Sequence, residues 1–79
     1  MTNKQKYDKV FIDTFSIDEN TLSSNPAYNK IQLWDSVGHM TMIAGVETTF
    51  NITIETDDII NFSSYEKGFE ILAKYGIEF

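Results

Sequence analysis

A chain without cysteine cannot be stapled. No disulfide can close its loops and no thiolate can hold a metal ion, so packing alone must maintain whatever fold it adopts. In 79 residues that leaves one domain near the lower limit of what folds unaided, with a compact core and no second unit. Any thiol chemistry in which such a protein takes part has to come from a group attached to it. Twelve acidic residues against six basic ones give a net charge of −6, which argues against nucleic acid and favours basic partner surfaces. The segment Met1–Lys6 leads into no apolar signal region, and no apolar run is long enough to cross a bilayer, so a cytoplasmic protein without membrane contact is expected. Asn51-Ile52-Thr53 and Asn61-Phe62-Ser63 match the glycosylation sequon by chance on that expectation.

The pattern of apolar residues predicts helices and no sheet. Thr2 with Gln5 resembles a capping box, and Tyr7, Val10, Phe11 and Phe15 recur at spacings of three and four, placing a first helix over about Asn3 to Phe15. From Ser16 to Asp35 the chain is rich in Asn, Ser and Asp and holds Pro26. It reads as a long loop anchored by Ile17, Leu22, Tyr28, Ile31 and Leu33. A second helix is expected from about Ser36 to Phe50, with Met40, Ile43, Val46 or Glu47, and Phe50 on the core stripe. Ile52 and Ile54 then alternate with polar residues in an extended connector, and Thr56 caps a short third helix over Ile59 and Ile60. Ser63 and Glu66 predict the cap of a last helix with Tyr65, Phe69 and Leu72 on its apolar stripe and Gly76 just past its end.

Within this pattern, Trp34-Asp35-Ser36-Val37-Gly38-His39-Met40 places an Asp-Ser pair where a loop gives way to an apolar helix. A helix start exposes unpaired N–H groups and a partial positive charge, which stabilise a phosphodiester on a hydroxyl there. The pattern resembles the acyl carrier protein family, in which an Asp-Ser-Leu motif opens the second helix; Val37 stands in place of the leucine. The run from Met40 to Ile54, with Glu47 and Phe50 closing the helix and Ile52-Thr53-Ile54 after it, is similar to the family's second helix and the short segment beyond it. Phe15 to Leu22 looks like the end of the family's first helix and the start of its long loop. The resemblance implies an all-α four-helix bundle of acyl-carrier type over residues 1–79, with three longer helices, one short third helix and a long first loop. It implies 4′-phosphopantetheine on Ser36, with Asp35 assisting attachment through a transiently held metal ion. It further implies a monomeric, non-enzymatic carrier of acyl or aminoacyl thioesters for fatty acid or specialised lipid, polysaccharide or metabolite assembly. The implied partners are a phosphopantetheinyl transferase (holo-carrier synthase), an acyl- or aminoacyl-activating ligase and transferases.

Other readings of the same residues are weaker. Ser36 or Asp35 can serve simply as an N-cap. A Ser36–His39 hydrolase lacks a Gly-x-Ser-x-Gly elbow, a residue to orient the imidazole and enough chain for a cleft, so His39 is expected to face solvent beside the arm. Asp18-Glu19-Asn20 lacks the glycine and terminal glutamate of a calcium loop and reads as a turn, and no standing metal site is expected. Trp34 is expected to be partly buried, closing the loop onto the bundle, and Met40 and Met42 to fill the core. Partner recognition is expected at Val37, Gly38, His39, Thr41 and Glu47. Where the family shows several carboxylates, the outer side of this helix reads Gly38, His39, Thr41, Gly45 and Thr48 with Glu47 the lone charge. Gly38 and Gly45 each cost a helix about 1 kcal/mol relative to alanine, which close approach by a partner would explain. The competing class is an acidic helical interaction module with no prosthetic group.

Overall fold

Thr2 and Gln5 cap each other reciprocally, as the sequence predicts, and start α1 (Asn3–Phe15) in a computed structural model that describes all 79 residues. Tyr7, Val10, Phe11 and Phe15 form its buried face, and Ser16, at φ 53°, turns the chain out of the helix. The 16–35 segment departs from the predicted loop. Asp18 accepts hydrogen bonds from the backbone N–H and the hydroxyl of Thr21, each 2.9 Å, and so caps a one-turn helix, α2 (Glu19–Ser23), that buries Leu22. Turn-forming residues were visible here, but a helix of five residues leaves too little periodicity to be recognised.

The remaining stretch is stitched to the start of the last helix. Tyr65 N–H donates to the Pro26 carbonyl, Tyr28 N–H to that of Ser63, and Glu66 N–H to the Asn25 side chain, each 2.9 Å. Asn25 and Asn29 take left-handed turn conformations at φ 56° and 62°. Of the expected anchors, Leu22 is buried and Ile17 and Ile31 are half-buried, whereas Tyr28 and Leu33 are exposed. Trp34 does the anchoring. It is fully buried, more so than expected, stacked on Phe15 at 4.9 Å and set edge-on to Phe11 at 5.3 Å.

α3 (Ser36–Phe50) has the predicted bounds but a different rotation. Met42, Ile43 and Val46 are buried and Phe50 half-buried, while Met40 is 52% exposed. The helix is apolar or small on nearly every side, so spacing alone does not choose its inner face. Its glycines do. A Cβ on Gly38 would lie 1.9 Å from the Leu33 carbonyl oxygen and 3.2 Å from the Phe15 ring, and one on Gly45 would lie 3.0 Å from Val10. Close approach within the domain, between α3 and the elements before it, therefore accounts for both glycines, and α1 with α3 forms the principal helix pair.

The Ile52–Ile54 connector is extended and unpaired, held by Ile54 N–H donating to the Glu47 carboxylate at 2.9 Å. α4 (Thr56–Asn61) comes next, with Glu55, not Thr56, at the cap and no side-chain capping bond. Asp58 turns inward and Ile60 is 72% exposed, because Lys74 and Tyr75 bind the Asp58 carboxylate from the far side. α5 (Tyr65–Ala73) is capped by Ser64 through Lys67 N–H rather than by Ser63, whose carbonyl is already taken by Tyr28. Its buried face is Tyr65, Gly68, Ile71 and Leu72, with Phe69 half-buried. Gly76, at φ 82°, closes the turn after α5 as its N–H donates to Ala73 and that of Ile77 to Leu72.

The result is a small all-helical domain of five helices without strands, Ala27 and Ser64 forming one isolated bridge. Tyr7 sits at the centre of the core, donating to the Tyr65 carbonyl at 2.7 Å, and the Tyr65 hydroxyl donates to Asp8. Burial first, then the Asp8 bond, pushes the Tyr65 hydroxyl up to about 12, so these phenols keep their protons at neutral pH. No helix is long and apolar enough to cross a membrane.

Candidate functional site

The loop hydrogen bonds and the burial of Trp34 fix where the next two residues fall. Asp35 is extended, at φ −106° and ψ −166°, and is the N-cap of α3. Its Oδ1 accepts from Gly38 N–H at 2.9 Å and its carbonyl from His39 N–H at 2.8 Å. Capping is thus performed by the aspartate. Ser36 becomes the first residue of the helix, exposed, with a hydroxyl that makes no hydrogen bond inside the chain and with its own N–H and that of Val37 among the unpaired donors of a helix start. Of the two residues that sequence reasoning left competing for the cap, Ser36 is the one free for other chemistry.

Beside Ser36 lies an open groove of about 370 Å³ between α3, α4 and the loop before them. Tyr28, Met40, Ile59, Ile60 and Phe62 give it apolar walls, and Ser36, His39 and Ser63 supply its polar atoms. Met40, expected inside, and Ile60 are both exposed along it. His39 does not face solvent as expected. The indole N–H of Trp34, which can only donate, reaches His39 Nδ1 at 2.9 Å, so Nδ1 is the acceptor. Nε2 therefore carries the hydrogen and donates to the Ile59 carbonyl at 2.8 Å. The half-buried ring ties the loop, α3 and α4 together, and both of its nitrogens are engaged away from the Ser36 hydroxyl.

The expected recognition residues divide into two sets. Val37 and Thr41 are exposed on the outer side of α3. Gly38 is packed against Leu33, His39 is tied as described, and the Glu47 carboxylate is turned to Ile54 N–H. The outer side of α3 therefore presents Ser36, Val37, Met40, Thr41, Ala44, Thr48 and Thr49, none of them charged. Sequence reasoning missed Tyr28 and Ile60 as site residues; a loop tyrosine and an isoleucine on a short helix carry no periodic signal, and only the fold brings them to Ser36. No group of three His, Asp or Glu side chains is placed to hold a metal ion. Comparison of the chain with protein-family models, curated proteins and solved structures finds no match.

Proposed function

We propose that the domain has the acyl-carrier form of helical bundle and carries acyl or aminoacyl groups as thioesters on a 4′-phosphopantetheine arm attached to Ser36, for partner enzymes of a biosynthetic pathway. The observation that carries this reading is the division of labour at the start of α3. Asp35 satisfies the helix end, and the adjacent serine stands exposed with no structural task.

The residues present fit such a group. The Ser36 hydroxyl can take a phosphodiester, which the free N–H groups and positive end of a fifteen-residue helix favour. Asp35 uses one carboxylate oxygen for capping, leaving the other to assist a metal ion while a transferase works. The walls formed by Tyr28, Met40 and Ile60 offer apolar contact to whatever leaves Ser36 along the groove. When bound, the arm supplies the thiol that this cysteine-free chain lacks, on a tether that holds an intermediate at high effective concentration for successive enzymes. The chain's own part is to hold Ser36 outward and to keep its surroundings rigid through Trp34 and His39. With both imidazole nitrogens engaged, His39 positions and does not act as a base toward Ser36.

Co-expression with a phosphopantetheinyl transferase from its own source, read by intact mass, tests this. The wild type is expected to gain one phosphopantetheine and Ser36→Ala none. A wild type that stays unmodified overturns the carrier reading in favour of an acidic interaction module, and a modification at Ser23, Ser24, Ser63 or Ser64 overturns the site.

A further inference from the structure

The surface around Ser36 differs from the rest of the molecule. Of the seven large hydrophobic side chains that the chain exposes, four, Tyr28, Val37, Met40 and Ile60, belong to this one region. Tyr28, Met40 and Ile60 share the groove with Ser36, and Val37 comes directly after Ser36 on α3. The only ionisable side chains of α3, His39 and Glu47, are both bound inward, so in a chain of net charge −6 the helix that bears Ser36 shows no charge outward. Apolar side chains left uncovered and gathered at one site mark a contact surface, and a flexible thioether such as Met40 adapts to a facing surface.

Resting on the carrier reading, we infer that the Ser36 face docks partner enzymes that present an apolar, uncharged surface, and that recognition here proceeds by apolar burial rather than by charge pairing. Charge selects this occupant. Apart from the capping Asp35, one of whose oxygens already binds Gly38 N–H, a basic patch finds no carboxylate along α3 to pair with. A second copy sets −6 against −6 and covers Ser36, the residue that has to stay reachable. A neutral apolar surface meets neither obstacle.

The phosphopantetheinyl transferase from the same source is the probe. Binding of the Ser36→Ala carrier to it is measured calorimetrically at about 20 mM and about 300 mM sodium chloride, a range over which exposed charge pairs are largely screened. The expected Kd changes by less than about threefold with salt, with a negative heat-capacity change. On the Ser36→Ala background, Met40→Glu and Met40→Lys are each expected to weaken binding by at least about tenfold, because either charge is stranded in an apolar contact. Thr53→Glu, exposed in the connector outside the patch, is expected to leave Kd unchanged. Circular dichroism melts confirm that each variant folds, Met40 being at the surface. A Kd that weakens steeply with salt, or a Met40→Glu variant that binds more tightly while Met40→Lys binds less, overturns the inference and leaves the carrier reading intact. Sedimentation of the wild type as a dimer overturns it in favour of a second copy. A wild type that gains no mass from the transferase overturns the carrier reading and the inference together.

Discussion

At the residue scale, the candidate site depends on which side chain does which ordinary job. Asp35 takes the cap that Ser36 could have taken, and His39 fills the gap between a buried indole and a helix carbonyl. The imidazole supplies one acceptor and one donor at the spacing that Trp34 and Ile59 require, which no aliphatic side chain can do. His39→Leu is therefore expected to cost about 2 kcal/mol, from a buried indole N–H left without a partner, and to lower Tm by roughly 10 °C for a domain of this size. His39→Gln, whose amide offers one donor and one acceptor, is expected to recover part of that loss. Thermal melts followed by the emission of Trp34, the one tryptophan, check both variants; a Leu variant as stable as the wild type would show that the two bonds contribute nothing.

At the scale of elements, α4 is the least self-sufficient helix. It has six residues and no side-chain cap, and its outward isoleucine leaves Ile59 and Asp58 to hold it. Asp58 accepts from Lys74 Nζ and, at 2.6 Å, from the Tyr75 hydroxyl, which itself accepts from Glu55 N–H at 2.9 Å, so one cluster links the N-cap and first turn of α4 to the chain beyond α5. Lys74 first, and Tyr75 next, hold the Asp58 carboxyl below the usual carboxylate range. A folded-state pKa below the unfolded one means stability that is present above the unfolded carboxylate range and lost as pH falls through the folded value. Loosening of α4 is thus expected below about pH 4, and Asp58→Asn should flatten that acid limb while lowering stability at neutral pH. Urea titrations across that range compare the two proteins. Acid limbs of equal steepness would assign the loss to other groups, of which Asp18, held low by its bonds to Thr21, is the first to test.

Across the whole molecule, four of the six lysines are paired, Lys4 with Asp8, Lys9 with Asp13, Lys67 with Glu70 and Lys74 with Asp58. Eight of the twelve carboxylates remain against Lys6 and Lys30. Most of these pairs are exposed and contribute little, so screening them loses less than is gained by damping the repulsion among the rest. Added sodium chloride is expected to raise Tm. Asp57 and Asp58 do not gather on one face, since one is exposed and the other turned in, and no cluster is built to hold a metal ion. Magnesium at matched ionic strength should accordingly do no more than sodium. Melts near neutral pH in both salts decide this; a Tm insensitive to either would mean the charges are too dispersed to oppose folding.

What the sequence determined by itself is local. The bounds of α1 and α3, the caps at Thr2 and in the Asp35-Ser36 pair, the extended connector after Phe50 and the left-handed glycine after α5 arise from hydrogen-bond chemistry within a few residues, and those preferences act before any tertiary contact forms. Tertiary structure decided which side of α3 and α4 faces inward, whereas the buried face of α1 was already legible in its spacing. α3 is apolar nearly all round, so its rotation awaited the approach of Phe15, Leu33 and Val10 to Gly38 and Gly45. Asp58 was drawn in by Lys74 and Tyr75, sixteen and seventeen residues away. The start of α5 moved by one residue because Tyr28 had claimed the Ser63 carbonyl. The groove at Ser36 is of the same kind. Its serine was legible from its immediate neighbours in the chain, but its walls come from three segments whose juxtaposition only packing creates.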